Sequence, residues 1–140
     1  MYEYRAKIVR IIDGDTVDVD IDLGFGIWMK NERVRIMGID TPESRTRDKV
    51  EKKFGLASKA KLKSLLGNST VLKTQINKKG EDMKGKFGRI LGDFTSDGKK
   101  VSKILCEEGF AVPYFGGSKD KLEAKHLKNR ERLIKEGIVN

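Results

Sequence analysis

A mainly β fold with helices (α+β), containing five antiparallel strands and three helices, is what the sequence predicts. Three observations carry that expectation. Apolar and polar residues alternate in several separate stretches, the period-two signature of half-buried strands. Other stretches place apolar residues at helical spacing and stop at a glycine, as at Gly67, Gly109 and Gly137. The resulting order is three strands, one helix, two strands, then two helices.

Residues 4–12 are rich in β-formers and read as a first strand, with Asp13-Gly14 as the hairpin turn signal after it. Residues 15–22 follow as a second strand, where Val17, Val19 and Ile21 alternate with Asp18, Asp20 and Asp22. An EF-hand loop is excluded, because it needs glycine at Leu23 and glutamate at Met29. The alternating aspartates therefore read as the wet face of a sheet. Residues 24–31, with Trp28, read as a loop. The third strand begins at Arg33 and ends where Pro42, which has no N–H to donate, stops the ladder. Residues 44–53 read as a polar, basic, mobile loop. A helix is expected over 54–66, with Leu56, Ala60, Leu65 and Leu66 as its stripe. A fourth strand is expected over 70–76, a loop over 77–86, a fifth strand over 87–94 and a turn over 95–100. A short helix over 102–108, an irregular aromatic segment over 112–117 and a last helix from the Ser118 cap to 136 complete the chain. Five antiparallel strands with a helix between the third and fourth is the order of the oligonucleotide/oligosaccharide-binding (OB) barrel. No repeat or linker interrupts it, so residues 1–140 are expected to form a single domain.

The 140 residues suffice to bury a core. Charged residues make up 36% and hydrophobic residues 37%, which places the chain among folded proteins and not disordered ones. The net charge of +9 points to a polyanionic partner, and nucleic acid is the commonest. Cys106 is the single cysteine and falls in an apolar helical pattern, so it reads as a core thiol. No run of about 20 apolar residues is present to span a membrane, and no amino-terminal apolar stretch marks a signal peptide. The expectation is a monomer, cytoplasmic or of unknown location.

The chemistry concentrates in residues 33–43, RVRIMGIDTPE. Asp40 and Glu43 stand at the end of a strand, and Arg35 lies five residues before Asp40, close enough to share a ligand with it. The IDGDT run places Asp13 and Asp15 around a tight turn between strands one and two. Together the two turns can bring Asp15 and Asp40 onto one cation, with the Thr41 carbonyl as an optional third donor. Oxygen donors suit a hard ion, Ca²⁺ or Mg²⁺. Asp13 is suited to orienting a ligand from behind. Zinc is disfavoured by one cysteine and one histidine; His126 lies among Leu122, Leu127 and Leu133 and reads as a packed or surface residue. KFGR at 86–89 offers Lys86 and Arg89, and the Arg89 guanidinium matches a phosphate's oxygens.

IDGDT at 12–16, RVRIMGIDTPE at 33–43, KFGR at 86–89 and DGKKVSKILCEEGFA at 97–111 resemble the staphylococcal nuclease (thermonuclease) family, in order and over nearly the whole chain. The resemblance implies an OB barrel with calcium-dependent phosphodiesterase activity on DNA and RNA. It implies Asp15, Asp40 and the Thr41 backbone oxygen as metal ligands, and Arg35, Glu43 and Arg89 as catalytic residues. Phe87 stands where the family's reference member has a tyrosine, leaving Lys86 to bind a terminal phosphate. Tyr114 and Phe115 fall in a segment that faces the bound base, and both can stack on it.

The primary expectation is a metal-dependent nuclease. Glu43 would position the attacking water, accept its proton, or do both. The alternative is a non-catalytic OB-fold module that binds single strands by charge and stacking. Such a module has no use for carboxylates facing phosphates, so Asp15, Asp40 and Glu43 favour the enzyme. A cation-stabilised scaffold without a nucleic-acid role is disfavoured by the two arginines.

Overall fold

The structure, a computed structural model, describes residues 2–75, 84, 88–116 and 118–140. Strands β1 (Glu3–Asp13), β2 (Thr16–Gly24) and β3 (Ile27–Ile36) form an antiparallel meander. After a two-residue strand β4 (Ile39–Asp40) comes helix α1 (Lys49–Leu66). Strand β5 (Ser69–Thr74) then pairs antiparallel with both β1 and β6 (Ile90–Ser96). The ring closes through a parallel pairing of β3 with β6, Val34 opposite Ile90 and Ile36 opposite Gly92. The result is a closed five-stranded barrel, which leaves few unpaired edges. β7 (Lys99–Lys100) folds back antiparallel on the end of β6, and α2 (Val101–Glu107), β8 (Val112–Pro113) and α3 (Lys119–Lys135) follow.

Alternation fills the barrel. Val17, Val19 and Ile21 of β2 and Val34 and Ile36 of β3 are buried, and Leu72 and Phe94 join them from β5 and β6. On α1, Phe54, Ser58, Leu62 and Leu66 recur every four residues and form its buried stripe. Val101 and Leu105 do the same on α2. The Asp93 carboxylate accepts the backbone N–H and the hydroxyl of Ser102, which ties the first turn of α2 to the barrel, and burial pushes that carboxyl up. Cys106 packs against the core, and burial pushes its thiol up too, as expected of an unreactive sulfur.

Several elements depart from the expected pattern. α1 begins at Lys49, inside the stretch read as a loop, because the Asp48 side chain accepts Val50 N–H and Glu51 N–H as an N-cap. The expected loop at 24–31 is a tight hairpin turn at Phe25-Gly26, both at positive φ, so β3 starts at Ile27. Trp28 lies on the sheet between Lys7 and Lys30, whose amines are 4.8 and 5.6 Å from its ring centroid. The aromatic segment contains β8, which pairs Val112 with Asp40.

Asp18 also differs from a wet-face residue. It is buried, and its two carboxylate oxygens take Nε and Nη2 of Arg33 at 2.8 and 3.2 Å, with Arg10 at 3.4 Å. The hydrogen bonds from Arg33 hold its carboxyl below the usual carboxylate range, against the opposing effect of burial. In the window between the ordinary and the lowered pKa the unfolded chain binds more protons than the folded one, so stability rises with pH there. Asp18→Asn is expected to cost about 1 kcal/mol at neutral pH, a value kept small because Arg33 is half exposed. The difference should shrink as the pH falls below about 4 and vanish under the lowered pKa. Denaturant unfolding of both proteins at several pH values measures it.

Candidate active site

The β1–β2 turn and the end of β3 meet. Asp15 is buried; its Oδ1 accepts the Thr16 hydroxyl at 2.9 Å and its Oδ2 accepts the Thr41 backbone N–H at 3.2 Å. The Asp15 carbonyl also accepts Ile36 N–H at 2.8 Å, which fixes the turn to the strand bearing Arg35. Arg35 is mostly buried and donates to the carbonyls of Ile36 and Ile39, the latter at 2.8 Å from Nη2. That same nitrogen lies 3.4 Å from Asp15 Oδ2 and 3.9 Å from Asp40 Oδ1. The two aspartates, one from the β1–β2 turn and one from β4, therefore flank one guanidinium.

Asp13 faces Ser44, not Asp15. It accepts Ser44 N–H at 3.1 Å and also the Ser44 hydroxyl, so it pins the backbone just after Glu43. Glu43 itself is exposed. Arg89 lines a cleft of about 490 Å³ with Asp13, Thr16, Asp18, Asn31 and Arg33. Its lining includes neither Asp15 nor Asp40, so the described contacts do not bring Arg89 together with the aspartate pair. Tyr114 N–H donates to Gly38 O at 2.8 Å, and exposed Phe115 lies over Gly38. Both rings border a second cleft with Lys121 and Lys125. Lys86 and Phe87 lie outside the described residues.

The donor set fits a hard divalent cation. Two carboxylates already share one positive group, every candidate donor is an oxygen, and Thr41 Oγ1 is buried without a hydrogen-bond partner. Among the described residues no group of three or more His, Cys, Asp or Glu side chains is placed to hold a metal, so any such ion draws on backbone oxygen and water as well.

The contact that sequence reasoning did not reach is that of His126, read there as a packed or surface residue. Its side chain is largely buried, and Nε2 lies 2.8 Å from Asp40 Oδ2. The signal lay in helical spacing: His126 is three residues before Asn129 and seven before Leu133. Those two also face the barrel, Asn129 donating to Ala111 O at 3.1 Å and Leu133 buried in the core.

A family model described as staphylococcal nuclease homologue matches residues 33–138. Endonuclease YncB of Bacillus subtilis (strain 168) is 33% identical over 107 residues, which cover 76% of this chain and 46% of that protein. The SPbeta prophage-derived endonuclease YokF of the same organism is 32% identical over 102 residues, covering 73% and 31%. The thermonuclease of Staphylococcus intermedius is 31% identical over 114 residues, covering 81% and 62%. The chain thus spans between 31% and 62% of the length of these relatives. With the match running from the strand that carries Arg35 through the helix that carries His126, the chain belongs to the staphylococcal nuclease family.

Proposed function

We propose that residues 1–140 form a single-domain, monomeric, metal-dependent nuclease that hydrolyses phosphodiester bonds of DNA, RNA or both, with Ca²⁺ as its ion and Mg²⁺ or another hard divalent ion as the alternative. The observation that carries this reading is the convergence of Asp15 and Asp40 on Arg35. Relatives named as endonucleases and thermonuclease support it.

Asp15, Asp40 and the Thr41 carbonyl would hold the cation. When bound, it would act as a Lewis acid on a phosphate oxygen and lower the charge the transition state must carry. Arg35 is held in place by two backbone carbonyls before any substrate arrives, so its remaining N–H groups are preorganised donors for the phosphate. Arg89, which lines a cleft with Asp13 and Arg33, would supply a second planar donor. Glu43, exposed beside the pinned Ser44, orients the attacking water and takes its proton. Tyr114 and Phe115 offer stacking surface to bases, Lys86 is assigned to the terminal phosphate with Phe87 beside it as an apolar contact to substrate, and Asp13 keeps the Glu43 backbone in register.

Digestion of plasmid and of DNA and RNA oligonucleotides, with Ca²⁺, Mg²⁺ or chelator, tests this directly. Chelation is expected to stop cleavage, and Glu43→Ala to slow it by about 10²–10⁴-fold, the range for a general base. Cleavage indifferent to chelator rules the mechanism out. Binding of single strands without cleavage under every ion assigns the domain to the non-catalytic binding module instead.

A further inference from the structure

We infer that His126 is a positioning residue for Asp40, an inference that rests on the nuclease reading above. The imidazole holds one carboxylate oxygen so that the other stays turned toward Arg35 and Asp15.

Asp40 sits on a strand of only two residues, paired to an equally short β8. Such a pairing fixes the backbone but leaves the side chain with its own rotamer freedom, and Asp40 is only partly buried. Arg35 Nη2 stands 3.9 Å from Oδ1, beyond hydrogen-bonding distance, and attracts the carboxylate without directing it. The 2.8 Å contact between His126 Nε2 and Oδ2 is directional. An ionised carboxylate only accepts, so Nε2 carries the hydrogen. Oδ2 is then occupied, and Oδ1 is the oxygen presented to the side where Asp15 lies.

His126 is itself held. Asn129 bonds the Ala111 carbonyl, one residue from the Asp40 partner Val112. Arg130 lies over the Phe54 ring at 5.4 Å and 3.9 Å from Glu51 on α1. Leu133 anchors the next turn in the core. The helix thus delivers His126 to Asp40 as a rigid support, the arrangement by which groups behind a ligand tune a metal site.

The test compares wild type with His126→Ala, His126→Asn and His126→Gln. The glutamine amide ends where Nε2 stands, whereas the asparagine amide ends at the Nδ1 position. Two readouts are taken against Ca²⁺ concentration: the rise in melting temperature, which reports ion binding without turnover, and the cleavage rate. His126→Ala and His126→Asn are expected to need about 10–100-fold more Ca²⁺ for half-effect in both, with the lost rate recovered at saturating Ca²⁺. His126→Gln should follow the wild type. Wild-type Ca²⁺ dependence in the alanine variant overturns the inference, as does a glutamine variant impaired as much as asparagine. The glutamine–asparagine comparison decides the matter even if the alanine variant fails to fold. A wild type that shows neither a Ca²⁺-dependent melting shift nor chelator sensitivity overturns the nuclease reading itself, and this inference with it.

Discussion

Replacing Arg35 with alanine is expected to lower cleavage about 10²–10³-fold, the loss typical of a preorganised donor in a desolvated site. Its guanidinium is fixed by the carbonyls of Ile36 and Ile39 and largely screened from water. A donor in that state costs no reorganisation when charge develops on a phosphate. The substitution has a second expected consequence. Asp15 Oδ2 and Asp40 Oδ1 both lie against Arg35 Nη2, so its removal leaves two carboxylates with less countercharge. Stability without ion should fall, and the stabilisation gained on adding Ca²⁺ should grow, because the ion then relieves repulsion that the arginine relieves in the wild type. Arg35→Lys should restore little, since one ammonium on a flexible stem cannot bond two carbonyls and still present a planar fork to phosphate. Rates on a defined oligonucleotide, with melting temperatures at zero and saturating Ca²⁺, check both expectations. A variant with wild-type rate removes Arg35 from the chemistry. An unchanged Ca²⁺ response separates it from the aspartates.

The parts of the fold that sequence reasoning reaches are those whose physics is local. Val17, Val19 and Ile21 alternate because one face of β2 is buried, whereas the third strand, expected to run on to Pro42, stops at Ile36 before the turn at Gly38, whose φ is positive. Asp15, Arg35 and Asp40 could be singled out because each stands where such a local pattern breaks. What escaped depends on distant partners. Asp18 repeats with Asp20 and Asp22 in a polar register, and nothing nearby reveals that Arg33, 15 residues on, draws it inside. β4 and β8 are too short to show a period, and their pairing links residues 39–40 to 112–113. The parallel closure of β3 on β6 is equally non-local. The start of α1 has no apolar stripe, only the Asp48 cap, so charge disguised it as loop. Gly92 stands in the middle of β6 for a reason visible only in three dimensions: a Cβ there would sit 2.6 Å from the Lys73 carbonyl oxygen. His126 is the same lesson at the site: the sequence left it packed or on the surface, and only the tertiary fold supplied Asp40.

Gly55→Ala should damage both stability and catalysis, although helix propensity alone predicts the reverse. Gly55 lies inside α1, where alanine is normally favoured by about 1 kcal/mol. Here a Cβ would stand 2.2 Å from the Glu43 carbonyl oxygen and 2.6 Å from Ser44 N. That is a collision with backbone, which no rotamer change relieves. The 43–44 segment resists moving because Ser44 is bonded to Asp13 through both its N–H and its hydroxyl. The helix resists moving because Phe54 and Leu62 are in the core and Ser58 bonds the Phe110 carbonyl at 2.6 Å. Overpacking of this kind costs about 1–3 kcal/mol, which equals or exceeds the propensity gain. A displacement of about 1 Å at Glu43 would further slow cleavage by about 10²-fold through lost alignment of the attacking water. The expected result is a lower melting temperature together with a rate loss. Leu56→Ala, one residue along on the exposed side of the same helix, should show neither change to a comparable degree. A Gly55→Ala protein that melts higher and cleaves normally would mean that α1 does not set the position of Glu43, and that Glu43 is held by the Asp13–Ser44 contact alone.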